Sequence, residues 1–255
     1  MPAGTGRHQG GTSLSIDTQY IMQIVITGAS KGIGWAIAEK FLEDKTGHTA
    51  ILCARDEDLL KSQSLALRAR FPHATVHAFS VDMSRKEAVL DFAAAVGHIG
   101  TTDILVNNAG QFVPGSCSDE ADGQLEKMIE ANLYSAYHLT RALLPDMLLR
   151  GSGHIFNMCS IASLHAYSNG GSYSISKFAL AGFTHNLREE LKAKGIKVTG
   201  IYPGATLTGS WDGIEIEPSR IMEAKDIAAM VYTAAHLSPQ AVVEDIVMRP
   251  QLGDL

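Results

Sequence analysis

The sequence has little cysteine and no long apolar run. Its 255 residues include only three cysteines, Cys53, Cys117 and Cys159, and none of them forms a C-x-x-C spacing. Three thiols cannot all pair, so a disulfide-stabilised secreted domain is not expected. We instead expect a reducing, cytoplasmic setting. No apolar segment reaches the roughly 18 residues of a membrane helix, so no membrane-spanning helix is expected.

Positive charge is scarce as well. Lys and Arg number 21 against 27 for Asp and Glu, which gives a net charge of -6 and an isoelectric point near 5.9. Nucleic acid and anionic membrane are therefore not expected as partners. The sequence shows no cluster of residues at metal-ligand spacing, so no metal site is predicted.

Length and composition indicate one domain. With 45% hydrophobic and 19% charged residues, a chain of 255 residues can bury the core of a single α/β domain. Residues 1–20 are rich in Gly, Ser and Thr and have no apolar periodicity. We therefore predict a disordered leader over residues 1–20 and a single domain over residues 21–255.

Seven apolar runs of strand length alternate with helical patterns. The predicted strands cover residues 21–27, 48–54, 74–81, 103–106, 154–158, 196–202 and 242–248. The predicted helices cover residues 35–41, 55–70, 84–96, 121–149, 173–193 and 226–237. This alternation predicts an α/β fold with a single Rossmann-type, doubly wound parallel sheet of about seven strands and helices on both faces. Ligands of such a sheet bind beyond the carboxyl ends of its strands.

A glycine loop follows the first predicted strand. The segment Gly28-Ala29-Ser30-Lys31-Gly32-Ile33-Gly34 joins that strand to a helical pattern. Glycines in this position let the backbone turn tightly and approach a pyrophosphate, which rests on the helix N-terminus. The spacing is G-x-x-x-G-x-G rather than G-x-G-x-x-G, and a plain turn with incidental glycines is the alternative interpretation.

The end of the second strand indicates which dinucleotide would bind. A carboxylate there would bind the ribose 2′-hydroxyl of NAD, but the sequence has Arg55 directly after the strand and a second cation, Lys31, in the glycine loop. Two cations favour a 2′-phosphate and hence NADP(H). Asp56 is the nearest acid, and its residue type is also suited to capping the next helix.

Three further polar segments follow strand ends or interrupt a helix. Asp82 could accept from an adenine amino group or cap the next helix, and Asn107-Asn108-Ala109-Gly110 could bond neighbouring backbone and leave space for a cofactor. Asn132 lies among apolar positions of the predicted 121–149 helix. A buried amide there costs free energy unless it is bonded, so Asn132 predicts a polar network or a break in the helix.

Ser160, Tyr173 and Lys177 form the candidate catalytic group. Tyr173 and Lys177 are four residues apart at the start of a helical pattern, so both side chains share one face. A phenol titrates near pH 10, and a cation about 4 Å away at an effective dielectric of about 20 favours the phenolate by about 4 kcal/mol. Lys177 is therefore expected to lower the pKa of Tyr173 by up to about 3 units. Ser160, after the fifth strand, could then bind the substrate oxygen that Tyr173 protonates; an exposed amphipathic Tyr–Lys pair is the alternative.

Taken together, these motifs resemble the short-chain dehydrogenase/reductase family over nearly the whole chain after Tyr20. The matching motifs, in family order, are Thr27-Gly28-x-x-x-Gly32-x-Gly34, Asn107-Asn108-Ala109-Gly110, Ser160, Tyr173-x-x-x-Lys177 and Pro203-Gly204. The resemblance implies a catalytic set of Asn132, Ser160, Tyr173 and Lys177. In that set Tyr173 is the general acid of carbonyl reduction and Asn132 holds a water that links Lys177 to solvent.

The resemblance also implies which residues bind NADP(H). The implied NADP(H)-binding residues are Gly28, Ser30, Lys31, Gly32, Ile33, Gly34, Arg55, Asp82, Met83, Asn108, Ala109, Gly110, Tyr173, Lys177, Pro203, Gly204, Thr206 and Thr208. It also implies a homodimer or homotetramer that packs helices around residues 121–149 and 173–193.

The C-terminal segment carries a finer resemblance. Residues 242–254, VVEDIVMRPQLGD, and Gly204-Ala205 with Trp211 soon after, look like bacterial sepiapterin reductases. Besides Ser160 and Tyr173, the substrate contacts expected on this basis are Trp211, as an apolar wall for a planar ring, and Asp254, as an acceptor for an amino-pyrimidine edge. The expected activity is NADPH-dependent reduction of a pterin side-chain ketone or a small diketone. An acyl-carrier-protein ketoreductase, a general alcohol dehydrogenase, a cofactor-binding redox sensor and a purely structural oligomer are the alternatives.

Overall fold

Seven parallel strands form one sheet in the computed structural model, which describes residues 20–211, 213 and 215–254. The strands are β1 (Gln23–Thr27), β2 (Thr49–Ala54), β3 (Thr75–Ser80), β4 (Ile104–Asn107), β5 (Gly153–Met158), β6 (Ile196–Pro203) and β7 (Asp245–Met248). Their order is β3-β2-β1-β4-β5-β6-β7, and all six neighbouring pairs are parallel. The predicted fold class is confirmed. The leader predicted over residues 1–20 lies outside the described residues except for Tyr20.

Helices cover both faces of this sheet. They are α1 (Gly32–Leu42), α2 (Glu57–Arg70), α3 (Lys86–Ile99), α4 (Gln124–Ile129), α5 (Ser135–Arg150), α6 (Gly171–Leu191) and α7 (Ala224–Ala235). Successive strand residues point to opposite faces, so Ile24 and Ile26 pack in one core with α1, α2 and α7, and Val25 packs in the other with α3, α5 and α6. Strands buried on both faces are continuous apolar runs, and this is why the sequence indicates them clearly.

The helical region predicted over residues 121–149 departs from a regular helix at two places. It begins only at Gln124, because Gly123 adopts a left-handed conformation with φ of 78°. Between α4 and α5 the chain makes one π-helical turn, Glu130–Tyr134, with buried Asn132 inside it. The other helices begin and end within three residues of the predicted bounds. No helix of residues 20–211, 213 and 215–254 is long and apolar enough to cross a membrane.

The first and last strands begin later than predicted. Ile21 is 59% exposed, and the ladder between β1 and β2 starts at Gln23. Before β7, Val242 is 40% exposed and the carbonyl of Val243 accepts from the hydroxyl of Thr199 at 2.6 Å. A side chain, and not a neighbouring strand, binds that carbonyl, so regular pairing begins only at Asp245.

The sheet order also locates the cleft. The order reverses between β1 and β4, where successive connections run to opposite sides. In doubly wound sheets a crevice opens at this switch point, beyond the carboxyl ends of the strands. A cleft of about 1420 Å³ lies there, lined by the segments that follow β1, β2, β3, β4, β5 and β6.

Candidate active site

The glycine loop after β1 is shaped by close contact with the segment after β4. Gly28 has φ of 65°, and a Cβ atom there would lie 3.0 Å from the Cα of Ala109 and from Nδ2 of Asn108. A Cβ atom at Gly34 would lie 2.5 Å from the carbonyl oxygen of Gly28. Any larger residue at these positions would push the loop outward. The backbone therefore requires glycine at these two positions.

Asn108 holds this glycine loop in place by hydrogen bonds. Its Nδ2 donates to the carbonyls of Thr27 and Gly28 at 2.9 and 3.0 Å, while the hydroxyl of Thr27 accepts from the backbone N–H groups of Asn108 and Ala109 at 3.0 and 2.8 Å. The two segments thus form one rigid floor of the cleft. Asn107 behaves differently, because its buried amide binds Thr140 and lies away from the cleft.

Ser160, Tyr173 and Lys177 meet in the cleft, as the sequence predicts. Ser160 follows β5 and is 8% exposed, and its Oγ accepts from the backbone N–H of Ala162 at 3.1 Å. Tyr173 and Lys177 lie in the first two turns of α6, with Nζ of Lys177 5.9 Å from the centroid of the Tyr173 ring. The ammonium group donates to the carbonyl of Met158 at 2.7 Å, which fixes it beneath the phenol.

The pKa values in this group differ from the sequence-based expectation. Burial raises the pKa of Tyr173 to about 12, although a hydrogen bond with Ser160 opposes that shift. Burial lowers the pKa of Lys177 to about 8. The expected lowering of the Tyr173 pKa is therefore not found, because burial is the largest influence on this pKa and raises it. At neutral pH the phenol keeps its proton and can donate it.

Asn132 lies inside the π-helical turn, and its amide is bonded to residues of two other segments. Its Oδ1 accepts from the backbone N–H of Gln111 at 2.7 Å, and its Nδ2 donates to the carbonyl of Gln111 at 3.0 Å and to Oγ of Ser176 at 2.8 Å. Ser176 in turn donates to the carbonyl of Tyr173 at 2.7 Å. The sequence predicted either a polar network or a break in the helix at Asn132, and the structure has both.

Arg55 also lines the cleft. Its two terminal nitrogens are 2.6 and 3.2 Å from the side-chain oxygen of Gln111, with the amide oriented so that oxygen faces the guanidinium. The neighbouring Asp56 caps α2, accepting from the N–H of Leu59 at 3.0 Å. Arg55 therefore extends over the cleft from the end of β2, while the nearby acid is engaged in its helix.

Asp82 is bonded within its own turn. Its Oδ1 accepts from the backbone N–H of Ser84 at 3.0 Å and from its hydroxyl at 2.7 Å. The next helix, α3, begins only at Lys86 with Arg85 at its N-cap, so Asp82 does not cap it. Asp82 nevertheless lines the cleft beside Met83.

The C-terminal tail closes the far wall of the cleft. Asp254 forms an ion pair with Arg249 at 3.1 Å, and the backbone oxygens of Leu252 and Asp254 accept from Arg220 at 3.1 and 3.4 Å. Trp211 belongs to a short 3₁₀ turn, Gly209–Trp211, on the same wall. Both predicted substrate contacts thus face the cleft.

Nearly all predicted site residues line this one cleft. Gly34 and Asn132 are the exceptions, and both lie directly behind its wall. Residues that the sequence analysis did not single out also line it: Gln111, Phe112, His165, Tyr167 and Arg249. The apolar pair Phe112-Val113, two residues after Gly110, is a signal that could have indicated part of this wall.

A second polar cluster lies at the opposite edge of the sheet. Ligand atoms of Asp44, His48 and His236 lie within 4.8 Å of one another, a grouping that the sequence spacing does not indicate. Nδ1 of His48 accepts from the backbone N–H of Met22 at 3.0 Å, so a neutral imidazole carries its proton on Nε2, which faces Asp44 Oδ2 at 2.8 Å. A metal ion on Nε2 would have to displace that proton while Nδ1 remained an acceptor. The cluster is therefore better suited to hydrogen bonding than to metal binding.

Comparison with known proteins relates the chain to one family. A family model described as short chain dehydrogenase matches residues 22–217. Sepiapterin reductase of Chlorobaculum tepidum is 32% identical over 237 residues, which cover 91% of this chain and 97% of the relative.

Two solved structures extend this similarity to the fold. An alcohol dehydrogenase from Thermococcus sibiricus, complexed with 5-hydroxy-NADP, superposes with a TM-score of 0.84 at 26% identity, covering 91% of this chain and 97% of the other. L-Sorbose reductase from Gluconobacter frateurii, complexed with NADPH and L-sorbose, gives a TM-score of 0.82 at 29% identity, covering 90% and 95%.

Proposed function

The chain belongs to the short-chain dehydrogenase family, and we propose that it is an NADPH-dependent carbonyl reductase in which Tyr173 donates the proton. The observation that carries this proposal is one shared cleft, lined both by the glycine loop with Arg55 and by Ser160, Tyr173 and Lys177. A redox sensor that only binds a cofactor needs the first group of residues and not the second. A structural oligomer needs neither.

The residues present fit a dinucleotide phosphate. Gly28 and Gly34 let the loop pack against Asn108 and Ala109 with no room for a Cβ atom, and α1 begins within this loop, so a helix N-terminus lies at the cleft. Arg55 and Lys31 also line this cleft, and their positive charge suits an adenosine 2′-phosphate. Two similar structures, named above, are complexes with NADPH or with 5-hydroxy-NADP, which supports the same preference here.

The chemistry that bound NADPH supplies is the hydride. The chain contributes the proton and the orientation of the carbonyl. Ser160 binds the carbonyl oxygen, and Tyr173, whose pKa of about 12 keeps it protonated at neutral pH, transfers its proton to that oxygen as the alcohol forms. Lys177, with a pKa of about 8, is mostly charged at pH 7 and stabilises the phenolate that remains.

We propose a pterin side-chain ketone as the substrate class, with small vicinal diketones accepted because their adjacent carbonyls resemble that side chain. Trp211 and Asp254 both line the cleft, and a sepiapterin reductase is among the relatives. The ion pair of Asp254 with Arg249 places an acceptor beside a donor, and an amino-pyrimidine edge carries the complementary pair. An acyl-carrier-protein ketoreductase remains the second candidate.

A substrate comparison tests this choice. We expect kcat/KM to be highest for sepiapterin, lower for a small diketone and lowest for an acetoacetyl thioester. Trp211→Ala and a chain ending at Leu252 should each lower kcat/KM for sepiapterin by about tenfold or more, since each removes a contact of about 1–3 kcal/mol, with less effect on the diketone. If the thioester is the best substrate, or if both variants treat sepiapterin normally, the pterin proposal fails and the general carbonyl reductase remains.

We also propose that the protein acts in the cytoplasm as a homodimer or homotetramer. The buried thiols of Cys53 and Cys159 are free, which suits a reducing compartment. Large apolar side chains are exposed on the helical region 121–149 and on α6: Leu125, Tyr134, Leu149, Ile175 and Phe178. Light scattering after size exclusion tests the assembly, and a monomer at micromolar concentration would contradict it.

A further inference from the structure

The segment after Gly110 is attached to the start of α6 by hydrogen bonds between residues far apart in the chain. The carboxylate of Glu120 accepts twice from the backbone N–H of Ser172, at 2.9 and 3.1 Å, and once more from the Ser172 hydroxyl. These residues are 52 positions apart. Close by, the N–H of Gly115 donates to the carbonyl of Asn169 at 3.1 Å. The loop is thus joined to α6 at its N-terminus and to the segment that precedes it.

Glu120 performs the role that an N-cap residue usually performs. The first N–H groups of a helix have no partner within it, and a side chain at the N-cap position normally accepts from one of them. In α6 that position is Gly170, which has no side chain. A carboxylate also interacts favourably with the positive end of the helix dipole. The cap of this 21-residue helix therefore comes from a different part of the chain.

The backbone on both sides is shaped around this carboxylate. Gly171 has φ of 38°, and a Cβ atom there would fall on Oε1 of Glu120. A Cβ atom at Gly115 would lie 2.7 Å from Cγ and from Oε1 of the same side chain. Two glycines from separate segments leave room for one half-buried carboxylate contact. Such a fit indicates a built contact rather than a chance surface pair.

The contact lies directly beside the proposed proton donor. Ser172 precedes Tyr173, and Phe112 in the same loop packs edge-to-face on the Tyr173 ring with centroids 4.8 Å apart and an interplanar angle of 81°. We propose that Glu120 is a positioning residue, whose carboxylate fixes the first turn of α6 and thereby the phenol of Tyr173 relative to Ser160. This role rests on the proposed carbonyl reduction.

Two variants and a matched control test the proposal. Glu120→Ala should lower kcat by about ten- to a hundredfold, because small displacements of a reacting group cost this much. KM for NADPH should change by less than about twofold, since Glu120 does not line the cleft. Glu120→Gln keeps an acceptor oxygen and should restore most of the rate. Glu190→Ala, at an exposed position near the other end of α6, should leave both constants unchanged.

Hydrogen exchange of the peptide covering residues 171–178 separates this proposal from the proposed function. In Glu120→Ala its amides should exchange at least about tenfold faster than in the wild type, whether or not the wild type reduces any carbonyl. Unchanged exchange together with unchanged kcat would overturn the role of Glu120. So would a loss of rate that Glu120→Gln does not restore and that parallels a fall in Tm, because general destabilisation would then explain it. A wild type that reduces no carbonyl, with faster exchange in the variant, would overturn the function and leave the cap in place.

Discussion

The two edges of the sheet use the same kinds of side chain in opposite ways. At the carboxyl edge, Tyr173 and Lys177 face a shared cleft, and their pKa values are displaced by burial. At the amino edge, Asp44 accepts from the hydroxyl of Tyr232 at 3.1 Å and lies 2.8 Å from His48. There the titratable groups bond to one another. The comparison teaches that residue type does not indicate function until the partners of each group are known.

Asp103 illustrates the amino edge further. Its carboxylate accepts from the backbone N–H of Gln23 at 2.7 Å and pairs with Arg150 at 2.6 Å. It thereby joins the start of β1 to the end of α5. By contrast, the guanidinium of Arg55 at the carboxyl edge contacts the side-chain oxygen of Gln111 at 2.6 and 3.2 Å. Arg150 thus joins two elements of the fold, and Arg55 is proposed to bind a cofactor phosphate.

The largest effect expected at the carboxyl edge comes from removing the proton donor. Tyr173→Phe should lower kcat by at least about a hundredfold, because general acid catalysis contributes that much or more, while the NADPH dissociation constant stays within about twofold. Steady-state kinetics and cofactor titration measure the two. More than a few per cent of residual kcat would show that another group supplies the proton.

Cofactor choice gives the next largest effect. Arg55→Ala should weaken NADPH binding by about ten- to more than a hundredfold, since a charge-assisted bond to phosphate contributes about 1.5–3 kcal/mol. NADH binding should change little. Arg70→Ala is the matched control at the amino edge, where Arg70 pairs with Glu39, and it should leave both affinities unchanged. Equal losses of NADPH and NADH affinity in Arg55→Ala would indicate a structural role for Arg55.

A substitution at the amino edge should change the stability of the protein and not its catalytic rate. Asp44→Ala removes the partner of His48, which is buried, and should lower the free energy of unfolding by about 1–3 kcal/mol. kcat/KM at 25 °C should remain within about twofold of the wild type. Denaturant unfolding and steady-state kinetics on the same preparation check both. Normal stability with impaired kcat/KM would remove the distinction between the two edges.

Much of the fold could be predicted because buried parallel strands are apolar runs bounded by glycine or polar residues. The segment from Gln23 to Gly34 shows the strand, the loop and the start of the helix in sequence alone. The first residue of a strand was harder to predict where a side chain binds the backbone, as Thr199 does before β7. Such contacts join distant residues and leave no periodic signal.

The site residues, like the strands, could be predicted only in part from the sequence. The motif residues Ser160, Tyr173 and Lys177 could be placed because each follows a strand or shares a helix face. Glu120 and Gln111 could not, since their partners are 52 and 56 residues away and are chosen by the folded geometry. The π-helical turn at Asn132 was foreseen only as a choice between a network and a break. The pKa of Tyr173 was expected to fall, and burial raises it.

The measurement that tests the proposed carbonyl reduction most directly is transfer of deuterium from NADPH labelled at the hydride position. The wild-type protein, mixed with this cofactor and a small vicinal diketone, should place one deuterium on the carbonyl carbon for each NADPH consumed. Tyr173→Phe should bind the labelled cofactor and transfer almost none. NADPH that binds tightly but is not consumed with sepiapterin or any diketone would contradict the account and indicate a cofactor-binding sensor instead.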